Sequence, residues 1–317
     1  MTRFFRSPPR GARTPFAVAL SVLVSCLLLT PAAVGEPAES LQDERSHRHY
    51  VALGDSFTAG PLIPFPRLDP LGCFRSTRNY PSVLRASLAV DSFTDASCSG
   101  ATTVDLHEPQ SVLAGRNAPQ LDALRPDTDL VTLQIGGNDI GFSDIVLTCA
   151  ARSVTAPNGN PCERHYTRDG GNELAERIEA TAPLIDRALA EITRRSPLAT
   201  VLVVGYQTIV PSTEGCFPRV PIARGDTAFL DGVHQALNAM LATAADRAGA
   251  AYVDTYSASQ GHDWCQPKGV KWVEGVLPTS PAFPVHPNEL GMAAVADMIE
   301  AELSARATDR ATVPMLG

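Results

Sequence analysis

Residues 49–56 read His49-Tyr50-Val51-Ala52-Leu53-Gly54-Asp55-Ser56. A short β-favouring run is cut off by a glycine, and the aspartate and serine behind it favour a turn and the start of a helix. Strand, tight turn and helix form the repeating unit of an α/β fold, and the rest of the chain repeats it. Residues 129–135 (DLVTLQI) form a second predicted strand ending at Gly136-Gly137, and residues 200–204 and 250–253 form two more. Residues 173–195, 227–248 and 289–306 carry apolar side chains at helical spacing with few breakers. Strands alternating with helices imply a three-layer α/β/α domain around a mostly parallel sheet. The Pro/Gly-rich segments 61–76, 152–171, 207–225 and 259–287 are expected to decorate that one domain. Several of them follow carboxyl ends of strands, where open α/β sheets place ligands.

The chain has 317 residues, 44% hydrophobic and 19% charged, which is enough to bury a large core and excludes disordered, collagen-like and polytopic membrane classes. Residues 1–35 carry Arg3, Arg6, Arg10 and Arg13 and no acid, then an apolar run over 16–29, Pro31 and a series of small residues. This is the grammar of a secretory signal peptide, with Ala33 and Gly35 at the cleavage positions. An uncleaved anchor and lipidation at Cys26 are the alternatives, and the apolar run continues past Cys26, where a lipoprotein signal stops. Residues 36–47 read as a polar linker and 48–317 as the single folded domain. Removing four arginines from a net charge of −8 leaves −12, a surface that repels phosphate backbones, so no nucleic acid is expected as a partner. No stable membrane insertion is expected either, and the exported chain is read as a monomer.

Six cysteines remain after cleavage, and an even number in an exported chain reads as disulfides. Pairing of neighbours is favoured: Cys73 with Cys98, Cys149 with Cys162, Cys216 with Cys265. No CxxC or HxxxH spacing occurs, so a metal site is not expected.

Four short segments carry the chemistry. Ser56 stands at a strand-to-helix turn, a nucleophile's position, although Gly, Asp and Ser also make ordinary turns. The residue two after it is Thr58, so this is not the GxSxG elbow. The second strand ends in Gly136-Gly137-Asn138-Asp139, placing a side-chain amide at the same sheet edge. Ser97-Cys98-Ser99-Gly100 offers a backbone N–H unshielded by a side chain. Pro284-Val285-His286-Pro287 holds a histidine with little backbone freedom. Asp55 and Asp139 flank the site, and structural turn roles are the better reading for both.

In this order the four segments resemble the SGNH, or GDSL, hydrolase superfamily, with Ser56, Gly100, Asn138 and His286 on its four motif positions. The exported, six-cysteine chain is similar to the secreted actinobacterial lipases and esterases of that superfamily. The resemblance implies a flavodoxin-like α/β/α fold and ester hydrolysis without cofactor or metal. His286 would take the Ser56 proton, and Ser56 N–H, Gly100 N–H and the Asn138 amide would bind the oxyanion.

One departure stands out. Most members place an aspartate three residues before the histidine, and here that residue is Phe283. The expectation is a Ser56–His286 dyad with the Phe283 carbonyl fixing the imidazole tautomer, and Asp254 and Asp263 are remote candidates for a replacement acid. Activity is expected to fall as pH drops through roughly 6.5, the ordinary histidine value.

Apolar residues in loops, 61–66, 209–211 with Phe217, and 276–278 with Phe283, suggest an acyl-chain groove at the catalytic edge. Lipid or short-chain carboxylic ester hydrolysis is therefore the first reading, and phospholipid fits it if its acyl chain enters that groove. A carbohydrate O-acetyl esterase is the alternative enzyme, and a non-catalytic secreted binding protein on the same scaffold is the alternative class.

Overall fold

The computed structural model describes residues 47–312. The expected signal segment, 1–35, and the linker up to residue 46 lie outside the described residues. Strand β1 (His49–Gly54) runs through Asp55 into the one-turn helix α1 (Ser56–Ala59), followed by α2 (Tyr80–Ser87), β2 (Ser92–Asp95) and a hairpin of β3 (Gln110–Val112) and β4 (Gly115–Asn117). Then come β5 (Leu130–Gln134), α3 (Phe142–Ser153), α4 (Pro161–Tyr166), α5 (Glu173–Arg195) and β6 (Thr200–Val204). The described chain closes with α6 (Thr227–Arg247), β7 (Ala251–Val253), α7 (Thr255–Ala258) and α8 (Glu289–Thr312).

The main sheet has the order β2-β1-β5-β6-β7, and every neighbouring pair is parallel. Counting its strands along the chain gives 2-1-3-4-5, the flavodoxin-like order. Connections leave β1 in one direction and continue from β5 in the other, so a crevice opens at the carboxyl ends of those two strands. Ser56 and Asn138 both follow these ends.

Alternation along each strand divides the core between the two sheet faces. Tyr50, Ala52, Leu130 and Leu202 pack under Leu84 of α2 and Met292, Val295 and Ile299 of α8. Val51, Leu53, Val131 and Leu133 pack under Ile185 and Leu189 of α5 and Leu237 and Leu241 of α6. Helix α5 starts where Asn172 accepts the Ala175 N–H at 3.1 Å, and its buried Ile178, Ile185, Leu189 and Ile192 fall on one face.

The four expected strands and three expected helices are present, with end shifts of up to six residues. Seven sheet or helix elements were not predicted: α2, α3, α4, α7, β2, β3 and β4. Strand β2 is a four-residue edge strand, Ser-Phe-Thr-Asp, only partly buried and without an apolar alternation. The β3–β4 hairpin is equally short and polar. Helix α2 begins at Asn79 with a proline in its first turn, and α3 begins at a left-handed Gly141 with no side-chain cap, so its start carries no readable signal.

The disulfides are Cys73–Cys98, Cys149–Cys162 and Cys216–Cys265. They tie the 61–76 loop to the turn after β2, α3 to α4, and the 207–225 segment to the 259–287 segment. Among the described residues no helix is long and apolar enough to cross a membrane, and no cluster of three or more His, Cys, Asp or Glu side chains could hold a metal ion.

Candidate active site

The turn after β1 is built around Gly54, which has φ +155°; a Cβ there would lie 2.2 Å from Thr58 Oγ1 and 2.6 Å from the Gln134 carbonyl oxygen. Only glycine fits. The Asp55 N–H donates to that same carbonyl at 3.0 Å, and Asp55 Oδ1 caps α1 by accepting the Phe57 N–H at 2.8 Å. Ser56 is therefore the first residue of a helix, where a backbone N–H has no intrahelical acceptor.

His286 arrives from the far end of the chain on a segment tied to residues 272–275. Its carbonyl accepts the Glu274 N–H at 2.9 Å, Val285 donates to Gly275 at 3.3 Å, and Asn288 donates to Trp272 at 2.8 Å. The buried Glu274 side chain takes the Asn288 amide at 2.8 Å and lies 3.5 Å from buried Lys271, which anchors the segment from inside. These ties bring His286 Nε2 to 2.7 Å from Ser56 Oγ, across 230 positions of sequence.

The acceptor at Nδ1 corrects the expectation for Phe283. It is the Pro284 carbonyl, at 2.8 Å, while the Phe283 carbonyl accepts the His286 backbone N–H at 3.2 Å. The Phe283 carbonyl is thus used to close a turn over residues 283–286, with Pro284 second and Val285 third at φ +62°. That combination belongs to a type II turn, whose central peptide is flipped, and the flip presents the Pro284 oxygen to the ring. A carbonyl can only accept, so Nδ1 carries the proton and Nε2 is the free base that receives the serine O–H. Burial pushes the imidazole down to about 4, against the opposing pull of the Pro284 bond.

Among the described residues no carboxylate substitutes at the ring. Asp254 caps α7 through the Ser257 N–H at 2.9 Å, and Asp263 accepts the Cys265 N–H at 2.8 Å and the Gln266 amide at 3.0 Å. The Phe283 side chain instead packs edge-on against the imidazole, with ring centroids 5.3 Å apart.

Gly100 and Asn138 occupy the strand ends on either side of β1. Cys98 N–H donates to the Gly54 carbonyl at 3.0 Å, which fixes the 98–101 turn beside the serine, and Gly100 is left-handed at φ +79°. One Asn138 amide N–H donates to the Ala101 carbonyl at 2.8 Å, which leaves the other free for a ligand. Asp139 holds the same two segments together by accepting the Thr103 N–H at 3.1 Å. Among the described hydrogen bonds none engages the N–H of Ser56 or of Gly100.

Tyr206, which the sequence reading passed over, connects these parts. Its hydroxyl donates to Asp55 Oδ2 at 2.6 Å and accepts the Gly137 N–H at 2.9 Å. Burial raises the Asp55 carboxyl to about 7, although the Tyr206 and Phe57 hydrogen bonds pull it down. The only signal was its position just past the carboxyl end of β6, on the ligand-binding edge of the sheet.

An apolar chamber opens from Ser56, Asn138 and His286. Its walls are Phe142, Ile145 and Val146 of α3, Leu230, Val233 and Leu237 of α6, and Ile209, Val210 and Trp264. Of the loops expected to form a groove, only 209–211 contributes to this wall. Leu62, Phe65 and Leu277 are exposed, because Pro/Gly-rich loops run over the surface. Trp264 is held by its backbone N–H to the Ile209 carbonyl at 3.1 Å and by the neighbouring Cys216–Cys265 bridge, so 262–265 is a tied loop.

A doubly wound sheet carrying a serine, an imidazole, an amide and an apolar chamber at its switch point defines an α/β serine hydrolase of the SGNH kind. The sequence profile of the GDSL-like lipase/acylhydrolase family matches residues 52–294, and the chain belongs to that family. It is 40% identical over 279 residues to Lipase 2 of Streptomyces coelicolor, covering 83% of this chain and 91% of the relative. It is 31% identical over 271 residues to a lipase of Streptomyces rimosus, covering 84% and 91%. Among solved structures, phospholipase A1 from Streptomyces albidoflavus superposes with a TM-score of 0.68 at 27% identity, covering 81% of this chain and 99% of that one. The extracellular lipase of Streptomyces rimosus gives 0.66 at 27%, covering 80% and 99%. The chain is a carboxylic ester hydrolase.

Proposed function

We propose that the mature protein is a secreted serine lipase/esterase that cleaves acyl esters through an acyl-enzyme on Ser56. The carrying observation is the 2.7 Å approach of Ser56 Oγ to a neutral His286 Nε2 at the mouth of an apolar chamber. As Oγ attacks the ester carbonyl, its proton passes to Nε2. The C–O bond to the leaving alcohol then breaks, and the imidazolium protonates that alcohol. Water repeats both steps on the acyl-enzyme, releasing the acid and regenerating Ser56. Ser56 N–H, Gly100 N–H and the Asn138 amide receive the negative charge that develops on the carbonyl oxygen. The Pro284 carbonyl holds the tautomer.

The chamber favours a hydrocarbon acyl chain over an acetylated polysaccharide, because its walls are almost wholly apolar side chains that offer few partners to sugar hydroxyls. Phospholipid esters belong to the same class, and one structural relative is called a phospholipase A1. Export is supported by the signal grammar of residues 1–35, by three disulfides, and by the relative called extracellular. One chain carries every group the reaction needs.

A fluorophosphonate probe should label wild type and not Ser56→Ala, and nitrophenyl esters of increasing chain length should be hydrolysed in preference to acetylated polysaccharide. Absence of labelling, or turnover confined to acetyl groups, contradicts the reading. Asn138→Ala should lose roughly 100- to 1,000-fold in kcat, the usual cost of one oxyanion donor.

A further inference from the structure

Tyr206 comes two residues after β6, and its phenol crosses the end of β5 to reach the end of β1. The hydroxyl bonds join the residue preceding Ser56 to the residue preceding Asn138, at 2.6 Å to Asp55 and 2.9 Å from Gly137. Among the described residues nothing else bonds Asp55 Oδ2 or the Gly137 N–H. Tyr206 is itself held on three sides. Its N–H donates to Asn238 Oδ1 at 2.8 Å, its carbonyl accepts Asn238 Nδ2 at 3.0 Å and His234 Nε2 at 3.2 Å, and its ring meets Phe57 edge-on with centroids 5.1 Å apart. Asp55 is 1% and Tyr206 3% exposed, so water does not compete for these bonds, and a single arrangement satisfies them all.

We infer that Tyr206 is a positioning residue for the oxyanion-binding groups: one phenol hydroxyl fixes the separation between the Ser56 N–H and the Asn138 carboxamide. The inference rests on the oxyanion role proposed above for those two groups. Without the hydroxyl, the Asp55–Ser56 turn and the Gly137–Asn138 segment lose their shared partner, and two buried polar groups must seek new ones. Displacements of an ångström at such donors cost on the order of 100-fold in turnover.

Tyr206→Phe keeps the ring in the core and removes only the hydroxyl. With a soluble nitrophenyl butyrate at 25 °C, kcat should fall roughly 10- to 100-fold. KM should stay within about twofold, because the ring still lines the chamber. Inactivation by a fluorophosphonate, which develops charge on the same oxygen, should slow by a similar factor. The thermal midpoint should remain above the assay temperature, which separates misplacement from unfolding. Because Tyr206 acts in part by placing Asn138, the losses in the double variant Tyr206→Phe/Asn138→Ala should be less than multiplicative.

If Tyr206→Phe does not fold, Gly137→Ala carries the same test, since its added methyl would lie 3.1 Å from the phenol oxygen and push it aside. A kcat within about twofold of wild type, or losses that multiply fully in the double variant, overturns the inference and leaves the ester hydrolase reading intact. Near wild-type turnover in Asn138→Ala instead removes the oxyanion reading beneath it.

Discussion

The acid side of the pH–rate profile tests whether burial sets the basicity of His286. An ordinary histidine, near 6.5, is about 3% neutral at pH 5. One pushed down to about 4 is about 90% neutral there, so the two cases differ roughly 30-fold in competent enzyme. The sequence-based expectation of a fall through 6.5 is therefore replaced by a limb near 4. The measurement is kcat/KM for a soluble acyl ester from pH 3.5 to 8, which reports the free enzyme, with intrinsic fluorescence followed in parallel to detect unfolding. Asp55, raised to about 7, is a second titrating group close by, and any inflection near 7 that vanishes in Asp55→Asn belongs to it. If the folded enzyme loses about 30-fold between pH 8 and 5 while Asp55→Asn does the same, desolvation does not control the base and the buried-dyad argument fails.

Phe283→Asp places a carboxylate three residues before His286. Opposite charge favours imidazolium, so the acid limb should move upward toward 6, which the same profile measures. Gly54→Ala should cost more than about 3 kcal/mol in chemical denaturation, since its methyl overlaps both Thr58 Oγ1 and the Gln134 carbonyl. Opening the Cys73–Cys98 bridge, whose ends lie 25 positions apart, by a double Cys→Ser change should cost about 3.5 kcal/mol, read from urea midpoints. The kcat should fall as well, because that bridge braces the Gly100 turn.

Stability against pH carries a further signature. His286 and His234 both lie at about 4 when folded, so their contribution is full above 6.5 and is lost as pH falls toward 4, about 3 kcal/mol each. Asp55 has the opposite sign: raised to about 7, its contribution is full below 4 and is lost as pH rises to 7. From pH 6.5 to 4 these three groups leave wild type about 2 kcal/mol less stable and Asp55→Asn about 5 kcal/mol less stable, a more than twofold difference in slope that denaturant titrations resolve.

The parts of the molecule that were legible in the sequence are those where a local pattern and a global constraint coincide. Residues 49–54 and 200–204 are apolar on both faces because the sheet is covered on both sides, and such runs stand out. Ser56, Asn138 and His286 follow breaks that glycine or proline must make. The turn at Gly100 was legible for the same reason, since its φ of +79° needs glycine. What stayed hidden lacked a local signature. The chamber wall on α3 begins at an uncapped glycine, Tyr206 looks like any aromatic after a strand, and the choice between the Phe283 and Pro284 carbonyls depends on a peptide flip that no residue type announces.

That flip also bears on the chemistry. Val285 is β-branched and sits at φ +62°, a conformation that costs on the order of 1–3 kcal/mol and persists only when its surroundings over-determine it. Here they do: the Val285 and Asn288 N–H groups and the His286 carbonyl are each bonded to residues 272–275. The strain yields a carbonyl on Nδ1 that selects the tautomer and contributes no charge to stabilise imidazolium. When Ser56 attacks, the imidazolium must then be stabilised chiefly by the oxyanion that forms beside it. On the proposed mechanism, the donors that hold that oxyanion near Ser56 therefore carry work that a triad shares with its carboxylate. For this reason the Tyr206 hydroxyl, which touches neither substrate nor imidazole, should matter more in a dyad than the same bond would in an enzyme with an aspartate at 283.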